Sequence, residues 1–343
     1  MVTGKNIISS GYKQYKTAMY SWEVIDVCQY KCSYCSAMNF NLNKLLANKI
    51  LLDSWKNVIK TLTLKTIKNP YMVELLGGEP TLHPNIEEII QQLNAHDGCV
   101  RIDLITNLEK NVKFYKQLQQ SKLYINPSYH PEFSGSNFVD KVIELNNTHN
   151  IICNINLHDN STYWERTKNT IDTLTANDIN FYVNFLFEVE SGSVGGYKPT
   201  YNDDFFSYFE NYLTSDNLRA PCRLQKHGNV SSETNINVMD ALHNNAHIEN
   251  IDEIGIVPFV DASGDTELHS TRDIIKHDMA KFKGWDCDAR MYSIKMTGEI
   301  YNHCTGETVT PINIHKKLND CVTCPLDRCD CDTKFLYYKS REE

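Results

Sequence analysis

Three cysteines stand within eight residues in the stretch CQYKCSYC, as Cys28, Cys32 and Cys35. Thiolates are soft metal ligands, and clustered cysteines on a loop suit zinc or an iron–sulfur cluster. A structural zinc ion takes four protein ligands, but the next histidine along the chain is His83. Three thiolates on a four-iron cluster leave one iron open to a small molecule. The spacing therefore favours a reactive metal centre, with a zinc site or a chance group of thiols as the alternatives.

A second group of cysteines lies near the end of the chain. Its members are Cys287, Cys304, Cys321, Cys324, Cys329 and Cys331. Of the 12 cysteines in the sequence, only Cys99, Cys153 and Cys222 stand outside the two groups. Thiols stay reduced in the cytosol, so such a density of cysteine there indicates metal ligation more than disulfides. We therefore expect two metal sites.

The composition bounds the class of protein. The chain has 343 residues, 41% of them hydrophobic, which is enough for one large domain and a smaller one. The N-terminal segment MVTGKNIISSGYKQYKTAMY has no apolar core and no cleavage site, and no apolar run approaches the ~20 residues of a membrane span. The net charge of −9 and the lack of a Lys/Arg block argue against a nucleic-acid partner. We expect a cytoplasmic protein with no membrane contact.

Strand-like and helix-like segments alternate through the middle of the sequence. Apolar runs predict strands at 21–27, 71–76, 101–106, 123–129, 151–157 and 179–187. Helical periodicity separates them, as in Trp55, Val58, Ile59 and Leu62, or in Ile86, Ile89, Ile90 and Leu93. Alternation of this kind predicts parallel βα units. We therefore expect an α/β fold with a partial (βα)6 barrel.

Polar motifs follow four of the predicted strands. The first strand runs into CQYKCSYC, the second into GGEP at 77–80, the third ends at Asn107, and the fourth at Ser128 and His130. Ligands of parallel α/β folds bind at the carboxyl ends of the strands, so we expect these motifs to converge. Each motif alone has an ordinary interpretation: GGEP as a turn, Asn107 as the N-cap of a helix at 109–119, and His130 as a turn residue.

Taken in order, these motifs resemble those of the radical S-adenosylmethionine superfamily. CQYKCSYC is similar to its cluster-binding motif, including an aromatic residue, Tyr34, before the last cysteine. GGEP is similar to its glycine-rich motif, and LITN, ending at Asn107, to its third-strand segment. The resemblance implies a [4Fe–4S] cluster on Cys28, Cys32 and Cys35, whose open iron binds the amino and carboxylate groups of S-adenosylmethionine. It also implies reductive cleavage of that cofactor to a 5′-deoxyadenosyl radical.

The resemblance further implies which residues contact the cofactor. Gly77 and Gly78 would let the backbone approach the methionine amino group, and Glu79 would sit beside that ammonium. Asn107 and Ser128 would reach the ribose or the carboxylate. The full set of cofactor-binding candidates is Tyr34, Gly77, Gly78, Glu79, Pro80, Asn107, Ser128 and His130. A reducing electron donor of the flavodoxin or ferredoxin type is implied as a partner.

The C-terminal cysteines flank a predicted β-hairpin. Tyr292, Ile294 and Met296 alternate toward a turn at Thr297-Gly298, with Cys287 before the hairpin and Cys304 after it. A Cys–hairpin–Cys pattern followed by CVTCPLDRCDC is similar to the twitch and SPASM auxiliary-cluster domains of the superfamily. The later spacing departs from the SPASM pattern, which favours one auxiliary [4Fe–4S] cluster over two. The preferred ligands are Cys287, Cys304, Cys321 and Cys324, with Cys329 and Cys331 as replacements for two of them; a zinc knuckle is the alternative.

The sequence thus predicts three regions. A radical S-adenosylmethionine barrel covers 18–220, a linker or insertion 221–280, and a twitch- or SPASM-like domain 281–335. The glycine-rich stretch at 190–199 is a candidate loop over the site, and the aromatic stretch at 201–213 a core-facing helix.

The substrate implied by the resemblance is a small molecule or a peptide. Net oxidation or cross-linking is the favoured reaction, because an auxiliary cluster can accept an electron from a substrate radical. A redox-neutral epimerase is the alternative, and it needs a thiol that returns a hydrogen atom, for which Cys153 and Cys222 are the candidates. From a different class, the chain could be a non-catalytic iron–sulfur or zinc-binding electron-transfer protein.

Overall fold

The computed structural model describes two compact units. The described residues are 6–13, 17–35, 48–64, 70–186, 200–212, 256–270, 274, 279–309, 321–325, 329 and 337–341. The first unit, here called the central unit, comprises Tyr20–Leu218 and Ser293–Glu299. The second, the terminal unit, comprises Met1–Met19, Arg219–Tyr292 and Ile300–Glu343. No helix among the described residues is long and apolar enough to cross a membrane.

The elements follow one another in an order that alternates strands and helices up to residue 209. The strands are Ile7–Ser10 (β1), Ala18–Ile25 (β2), Tyr71–Gly77 (β3), Cys99–Thr106 (β4), Leu123–Tyr129 (β5), Asn150–Ile151 (β6), Cys153–Leu157 (β7), Phe181–Phe185 (β8), Ile256–Asp261 (β9), Thr266–Ser270 (β10), Asp286–Cys287 (β11), Met291–Ile294 (β12), Ile300–Asn302 (β13), Thr308–Val309 (β14), Val322–Thr323 (β15) and Lys339–Ser340 (β16). The α-helices are Lys49–Leu52 (α1), Trp55–Leu62 (α2), Ile86–Ala95 (α3), Val112–Gln117 (α4), Phe138–Asn146 (α5), Trp164–Ala176 (α6) and Asp203–Phe209 (α7).

The central unit is built on strands that neighbour one another in the order β2-β3-β4-β5-β7-β8. The pairs β3–β4, β4–β5, β5–β7 and β7–β8 are all parallel, and the short β6 pairs with β5. Each of the six predicted strands is present, with ends that differ by at most a few residues from the prediction. The predicted α/β class is therefore confirmed, whereas closure into a partial barrel remains a prediction.

The two faces of this sheet differ in polarity because successive side chains of a strand point to opposite sides. Val73, Leu75, Ile102 and Leu104 belong to one face and are completely buried. Glu74 and Asp103, which are paired across β3 and β4, belong to the other. Amphipathic helices can cover the apolar face of the sheet. The polar side chains lie on the opposite face.

Helices α2 and α3 bury the apolar positions that their periodicity predicts. In α2 these are Trp55, Val58, Ile59 and Leu62, and in α3 they are Ile86, Ile89, Ile90 and Leu93. Helix α6 is less regular, since its buried residues include Thr167 and Thr170 as well as Ile171 and Leu174. Helix α7 buries Phe205 and Phe209 fully, as predicted for the aromatic stretch.

The helix after β4 begins later than the sequence suggested. The N-cap of α4 is Asn111, whose side chain accepts a hydrogen bond from the Phe114 amide. The N-cap interpretation of Asn107 is therefore wrong, and that residue is available for another role. The reason is that the five residues 107–111 form a turn between the end of β4 and the start of α4.

The terminal unit contains a six-stranded sheet in the order β10-β9-β1-β16-β11-β15. Every pair in it is antiparallel. Strands β9 and β10 lie in the region that the sequence analysis treated as a linker or insertion. Their signal is present in the alternating stretch IVPFV and in the turn around Gly264, whose φ of 88° is a conformation that favours glycine.

The predicted hairpin between Cys287 and Cys304 is confirmed as β12, a turn and β13. Gly298 adopts a φ of 86° in the turn, and its amide donates to the Lys295 carbonyl at 2.8 Å. The tip of the hairpin, Ser293–Glu299, belongs to the central unit. There the Met296 carbonyl accepts a hydrogen bond of 2.5 Å from the Ser54 hydroxyl.

Candidate functional site

The cysteine motif lies on the loop that leaves β2. Cys32 is buried, while Cys28 and Cys35 are half-buried, and none of the three is in a disulfide. The Cys35 amide donates to the Cys32 carbonyl at 3.1 Å, which closes a tight turn between these two thiols. Because no disulfide joins them, each of the three thiols could still serve as a metal ligand.

Glycines 77 and 78 let β3 end directly against this loop. A Cβ on Gly77 would overlap the carbonyl oxygen of Ile25, and one on Gly78 would overlap the backbone of Val27. Gly77 also has a φ of 144°, which side chains rarely adopt. In the structure the amides of Gly78 and Glu79 donate to the carbonyls of Ile25 and Val27, both at 2.8 Å. The glycines thus position the cysteine loop, whatever they also do for a cofactor.

The side chain of Glu79 is turned into the protein. It is completely buried, and its Oε1 accepts hydrogen bonds from the Thr81 amide and from the hydroxyls of Thr81 and Thr106. Its Oε2 accepts from the Asn107 amide at 2.7 Å. Burial raises the pKa of Glu79, and these hydrogen bonds offset part of that increase. The carboxylate therefore joins the ends of β3 and β4, and Pro80 starts a short 3₁₀ turn beside it.

Asn107 connects the end of β4 to the cysteine loop. Its Nδ2 lies 3.6 Å from the Cys28 sulfur, and its Oδ1 accepts from Gln29 Nε2 at 3.1 Å. The next residue, Leu108, is buried and has a φ of 59°, which is uncommon and costly for a residue other than glycine. The Thr106 hydroxyl accepts from the Leu108 amide at 3.1 Å and supports this bend. The strained turn directs the Asn107 carboxamide at the loop.

Hydrogen-bond donors surround the sulfur of Cys28. Besides Asn107, the Tyr30 amide approaches it at 3.3 Å. Burial raises the pKa of Cys28 to about 11, although the hydrogen bonds from Tyr30 and Asn107 lower it. Burial also raises the pKa of Cys32 to about 12. A bound metal would have to displace these protons, because the thiolate is the ligand.

His130 and Tyr34 stand beside Cys32. His130 Nδ1 lies 3.7 Å from the Cys32 sulfur and 3.1 Å from the Tyr34 hydroxyl, and the two rings are stacked. Burial lowers the pKa of His130 to about 4, so its imidazole is neutral at pH 7. Ser128, two residues before His130, is also buried, and Asn154 Nδ2 approaches its hydroxyl at 3.5 Å. The structure therefore brings Tyr34 and His130 to the cysteine loop, and pairs Ser128 with β7.

Other residues that hold the loop were not found by sequence reasoning. The Tyr30 hydroxyl donates to Glu109 at 2.7 Å, and the Ser33 amide donates to Glu132 at 2.8 Å. These partners are 79 and 99 residues apart in the chain. No local motif marks them, since polar residues shortly after a strand have many possible uses. The one sequence signal is that each lies three residues beyond the end of a strand, β4 for Glu109 and β5 for Glu132.

The residues present fit a cluster bound through three thiolates. Among the described residues, no three His, Cys, Asp or Glu side chains converge as ligands of a single metal ion. A four-iron cluster makes a different demand, because each thiolate binds its own iron. Amide donors directed at a cluster sulfur, as seen at Cys28, are one of the means by which proteins tune such clusters.

Five of the six C-terminal cysteines fall among the described residues. Strand β11 carries the buried Cys287, and β15 leads into the buried Cys324, whose amide donates to the Trp285 carbonyl at 2.7 Å. Burial raises the pKa of Cys287, the fully buried Lys339 ammonium lowers it, and the nearby Cys324 raises it. Cys304 is half-buried, Cys321 exposed and Cys329 buried.

The two candidate hydrogen donors are Cys153 and Cys222. Cys153 is completely buried at the first position of β7, on the apolar face of the sheet, and burial raises its pKa. The described residues leave out Cys222, and also Cys331 and the stretch 190–199.

Comparison with known proteins gives one curated relative and several solved structures. The relative is GTP 3′,8-cyclase of Mannheimia succiniciproducens, which is 28% identical over 105 residues, or 30% of each chain. No family model matches the sequence. Streptococcus suis SuiB bound to S-adenosylmethionine has a TM-score of 0.49 and 15% identity, covering 89% of this chain and 66% of that one.

Two further structures are more distant. SuiB bound to the precursor peptide SuiA has a TM-score of 0.47 and 14% identity, covering 83% of this chain and 58% of that one. BtrN in an open conformation has a TM-score of 0.26 and 16% identity, covering 41% of this chain and 57% of that one. The chain thus spans under two-thirds of the length of each of these proteins. Together with the ordered motifs and their meeting at the strand ends, the similarity to the cyclase over 30% of the chain supports the resemblance to the radical S-adenosylmethionine superfamily.

Proposed function

We propose that this protein generates a 5′-deoxyadenosyl radical and uses it to take a hydrogen atom from a small molecule or a peptide. The net reaction is an oxidation or a cross-link, assisted by an auxiliary [4Fe–4S] cluster. The observation that carries the proposal is the position of the Cys28–Cys32–Cys35 loop. It lies against the carboxyl ends of parallel strands, where Asn107 contacts Cys28 and His130 contacts Cys32 and Tyr34.

Different residues of the site are proposed to hold the cluster and to contact its cofactor. The three thiolates hold the cluster, which supplies the electron for cleavage of S-adenosylmethionine. Asn107 and the Tyr30 amide donate to the Cys28 sulfur and so stabilise added negative charge there. Glu79 is occupied by donors of its own chain, so contact with the methionine ammonium falls to the backbone of the GGEP segment.

The polar face of the sheet supports a polar substrate. Asp103 there accepts a two-point interaction of 3.0 Å from Arg101 and a hydrogen bond of 2.8 Å from Asn126. On the neighbouring strands Glu74 accepts from the Ser21 hydroxyl at 2.6 Å. A face that carries polar groups of this kind would be a poor surface for an apolar ligand, which favours a polar substrate.

The environment of Cys153 argues against its use as the hydrogen donor of an epimerase. The thiol begins β7, while the cysteine loop lies near the other end of the strands. A strand of five residues spans about 16 Å, at about 3.3 Å per residue. The buried thiol on the apolar face is better explained as part of the core. Of the two candidate donors, only Cys222 keeps the epimerase alternative open.

The auxiliary cluster is proposed for the C-terminal cysteines, with Cys287, Cys304, Cys321 and Cys324 as first choice. The support is the proximity of Cys287 to Cys324 and the buried ammonium of Lys339 beside Cys287. A positive charge in a buried position favours a site that binds several thiolates. The electron donor is proposed to be a flavodoxin or a ferredoxin, and the location cytoplasmic.

Anaerobic turnover tests the proposal. Reconstituted protein is given S-adenosylmethionine, a strong reductant and pools of deuterated candidate substrates, and deuterium in 5′-deoxyadenosine is measured. Deuterium transfer from one substrate supports the proposal and identifies the carbon attacked. A protein that binds iron and sulfide but makes no 5′-deoxyadenosine would instead be an electron-transfer protein.

A further inference from the structure

The turn between Cys32 and Cys35 is held by a carboxylate from a distant strand end. Glu132 lies three residues beyond β5, and its Oε2 accepts from the Ser33 amide at 2.8 Å. The Ser33 hydroxyl donates to the other oxygen, Oε1. Both donors of Ser33 are thus directed at one carboxylate. Only 12% of the Glu132 side chain is exposed, whereas Ser33 itself is exposed.

His158 orients this carboxylate. It follows β7 directly, only 6% of its side chain is exposed, and its Nε2 lies 3.1 Å from Glu132 Oε1. The other ring nitrogen, Nδ1, lies 3.1 Å from the Asn160 amide and 3.0 Å from Asp159 Oδ1. A neutral ring would accept from Asn160 at Nδ1, and a protonated ring would donate to Asp159. In both states Nε2 carries a hydrogen and donates to Glu132.

The ring of His158 is fixed by its surroundings as well. It contacts the Tyr163 ring with centroids 4.9 Å apart, and the Tyr34 ring at 5.6 Å. Its carbonyl accepts from the Trp164 indole at 3.0 Å. Tyr34 itself lies in the cysteine turn, so His158 contacts that turn both through Glu132 and directly.

From these contacts we infer that Glu132 and His158 are positioning residues that set the separation of the second and third cysteines. Neither touches a sulfur in the described contacts; Glu132 acts through Ser33, and His158 acts through Glu132. That these residues help to retain a cluster rests on the proposed function; that they position the turn does not. Outer partners that orient metal ligands typically change metal affinity by roughly 10- to 100-fold when they are removed.

Two variants and a matched control test this pair. Glu132→Gln retains the shape but places an amide NH₂ against donors, and His158→Gln removes the ring that orients the carboxylate. Glu87→Gln makes the same chemical change on the exposed face of α3. The first measurement is hydrogen exchange of a peptide covering 29–35 in the metal-free chain. We expect exchange of the Ser33 amide to be about 10-fold or more faster in Glu132→Gln, and unchanged in Glu87→Gln.

The second measurement is the rate at which the reconstituted protein loses iron to a chelator. The kinetic phase that belongs to the first cluster is the one missing from the variant that lacks Cys28, Cys32 and Cys35. We expect this phase to be roughly 10-fold faster or more in both variants. The spectrum of the reduced cluster should change as well, which a general loss of stability would not cause. The double variant should be little worse than Glu132→Gln, because the two residues act in series.

The outcomes separate the two hypotheses. Unchanged exchange at Ser33 in Glu132→Gln, or iron loss within two-fold of the unmodified protein in both variants, overturns the positioning role. Exchange at Ser33 could be faster in Glu132→Gln while no cluster ever assembles on these cysteines. That result would support the positioning of the turn by Glu132 and would overturn the proposed function instead. Equal effects in Glu87→Gln would also overturn the inference.

Discussion

The two groups of cysteines are held in the chain in different ways. Around CQYKCSYC, side chains from beyond the ends of β4, β5 and β7 contact the loop or its partners at 2.7 to 3.7 Å. Around Cys287 and Cys324, backbone hydrogen bonds join strands of two residues. The side-chain contacts of the first loop are present without metal, so we expect that loop to keep its shape in the metal-free chain.

The charges near the thiols differ as well. Cys28 and Cys32 are contacted by the uncharged Asn107 amide, Tyr34 hydroxyl and His130 ring, while the nearby carboxylates of Glu79 and Glu132 raise the pKa of Cys28 and of Cys32, respectively. Cys287 instead has the buried ammonium of Lys339 close by. A cation favours the more negative, reduced form of a cluster, so the auxiliary cluster proposed for this site would be suited to accept an electron. This difference fits one site that starts the reaction and another that takes up the substrate electron.

The largest effect is expected from loss of the first three thiols. Replacing Cys28, Cys32 and Cys35 together with Ala should abolish formation of 5′-deoxyadenosine, because the open iron is proposed to belong to the cluster on these thiolates. The C-terminal cluster should remain visible by electron paramagnetic resonance. Iron content and product formation are measured in parallel, with Cys99→Ala as a control at a buried thiol outside both groups. Continued cleavage of the cofactor would remove CQYKCSYC from the mechanism.

The next effect should fall on product alone. Replacing Cys321 and Cys324 with Ala should leave uncoupled cleavage of S-adenosylmethionine largely intact while product formation stops. Both products are quantified after circular dichroism has shown that the variant is folded, since a lost cluster can unfold its domain. Full product from this variant, together with loss of product from Cys222→Ala, would favour epimerisation.

Glu79 should matter for stability more than for any cofactor contact. Glu79→Gln replaces an acceptor with a donor inside a fully buried network, which should lower the free energy of unfolding by about 1–3 kcal/mol. The change appears as a lower melting temperature of the metal-free protein, by roughly 2–4 °C per kcal/mol. Glu88→Gln on the exposed face of α3 is the control. An unaltered melting temperature, with weaker cofactor binding, would restore Glu79 as an ammonium ligand.

Asn107 should have the smallest of these effects. Asn107→Ala removes one N–H directed at Cys28 but keeps the backbone amide that donates to Glu79. A hydrogen bond of about 0.5–1.5 kcal/mol corresponds to about 20–65 mV for one electron, so the midpoint potential of the first cluster should become more negative by that amount. A redox titration measures it; a constant potential with a weaker affinity for S-adenosylmethionine would mean that the amide binds the cofactor.

Much of the central unit could be predicted from the sequence because its signals are local. The periodicity of Trp55, Val58, Ile59 and Leu62 predicts a buried helix face. The apolar runs predict strands of the kind found in parallel sheets. The cysteine spacing and GGEP are contiguous motifs and could be recognised. Strands β9 and β10 were treated as linker although their alternation and turn are visible in the sequence.

The interactions that hold the site could not be predicted, because they join residues that are far apart in the chain. Nothing local distinguishes Glu132 or His158 from other polar residues after a strand. The role of Gly77 and Gly78 was expected toward the cofactor, but the structure shows a second reason, the close approach of β3 to the carbonyls at 25 and 27. Asn107 was ambiguous for the same reason: an N-cap and a contact to a sulfur look alike until the helix start at Val112 is known.

The central claim is that the cluster on Cys28, Cys32 and Cys35 binds S-adenosylmethionine through its open iron. The most direct test is electron–nuclear double resonance on the reduced protein with the cofactor labelled with ¹⁵N at its amino group. A hyperfine coupling between the cluster spin and this nitrogen is predicted, and it should be absent from the variant lacking the three cysteines. A reduced cluster that shows no coupling at a saturating cofactor concentration would contradict the account.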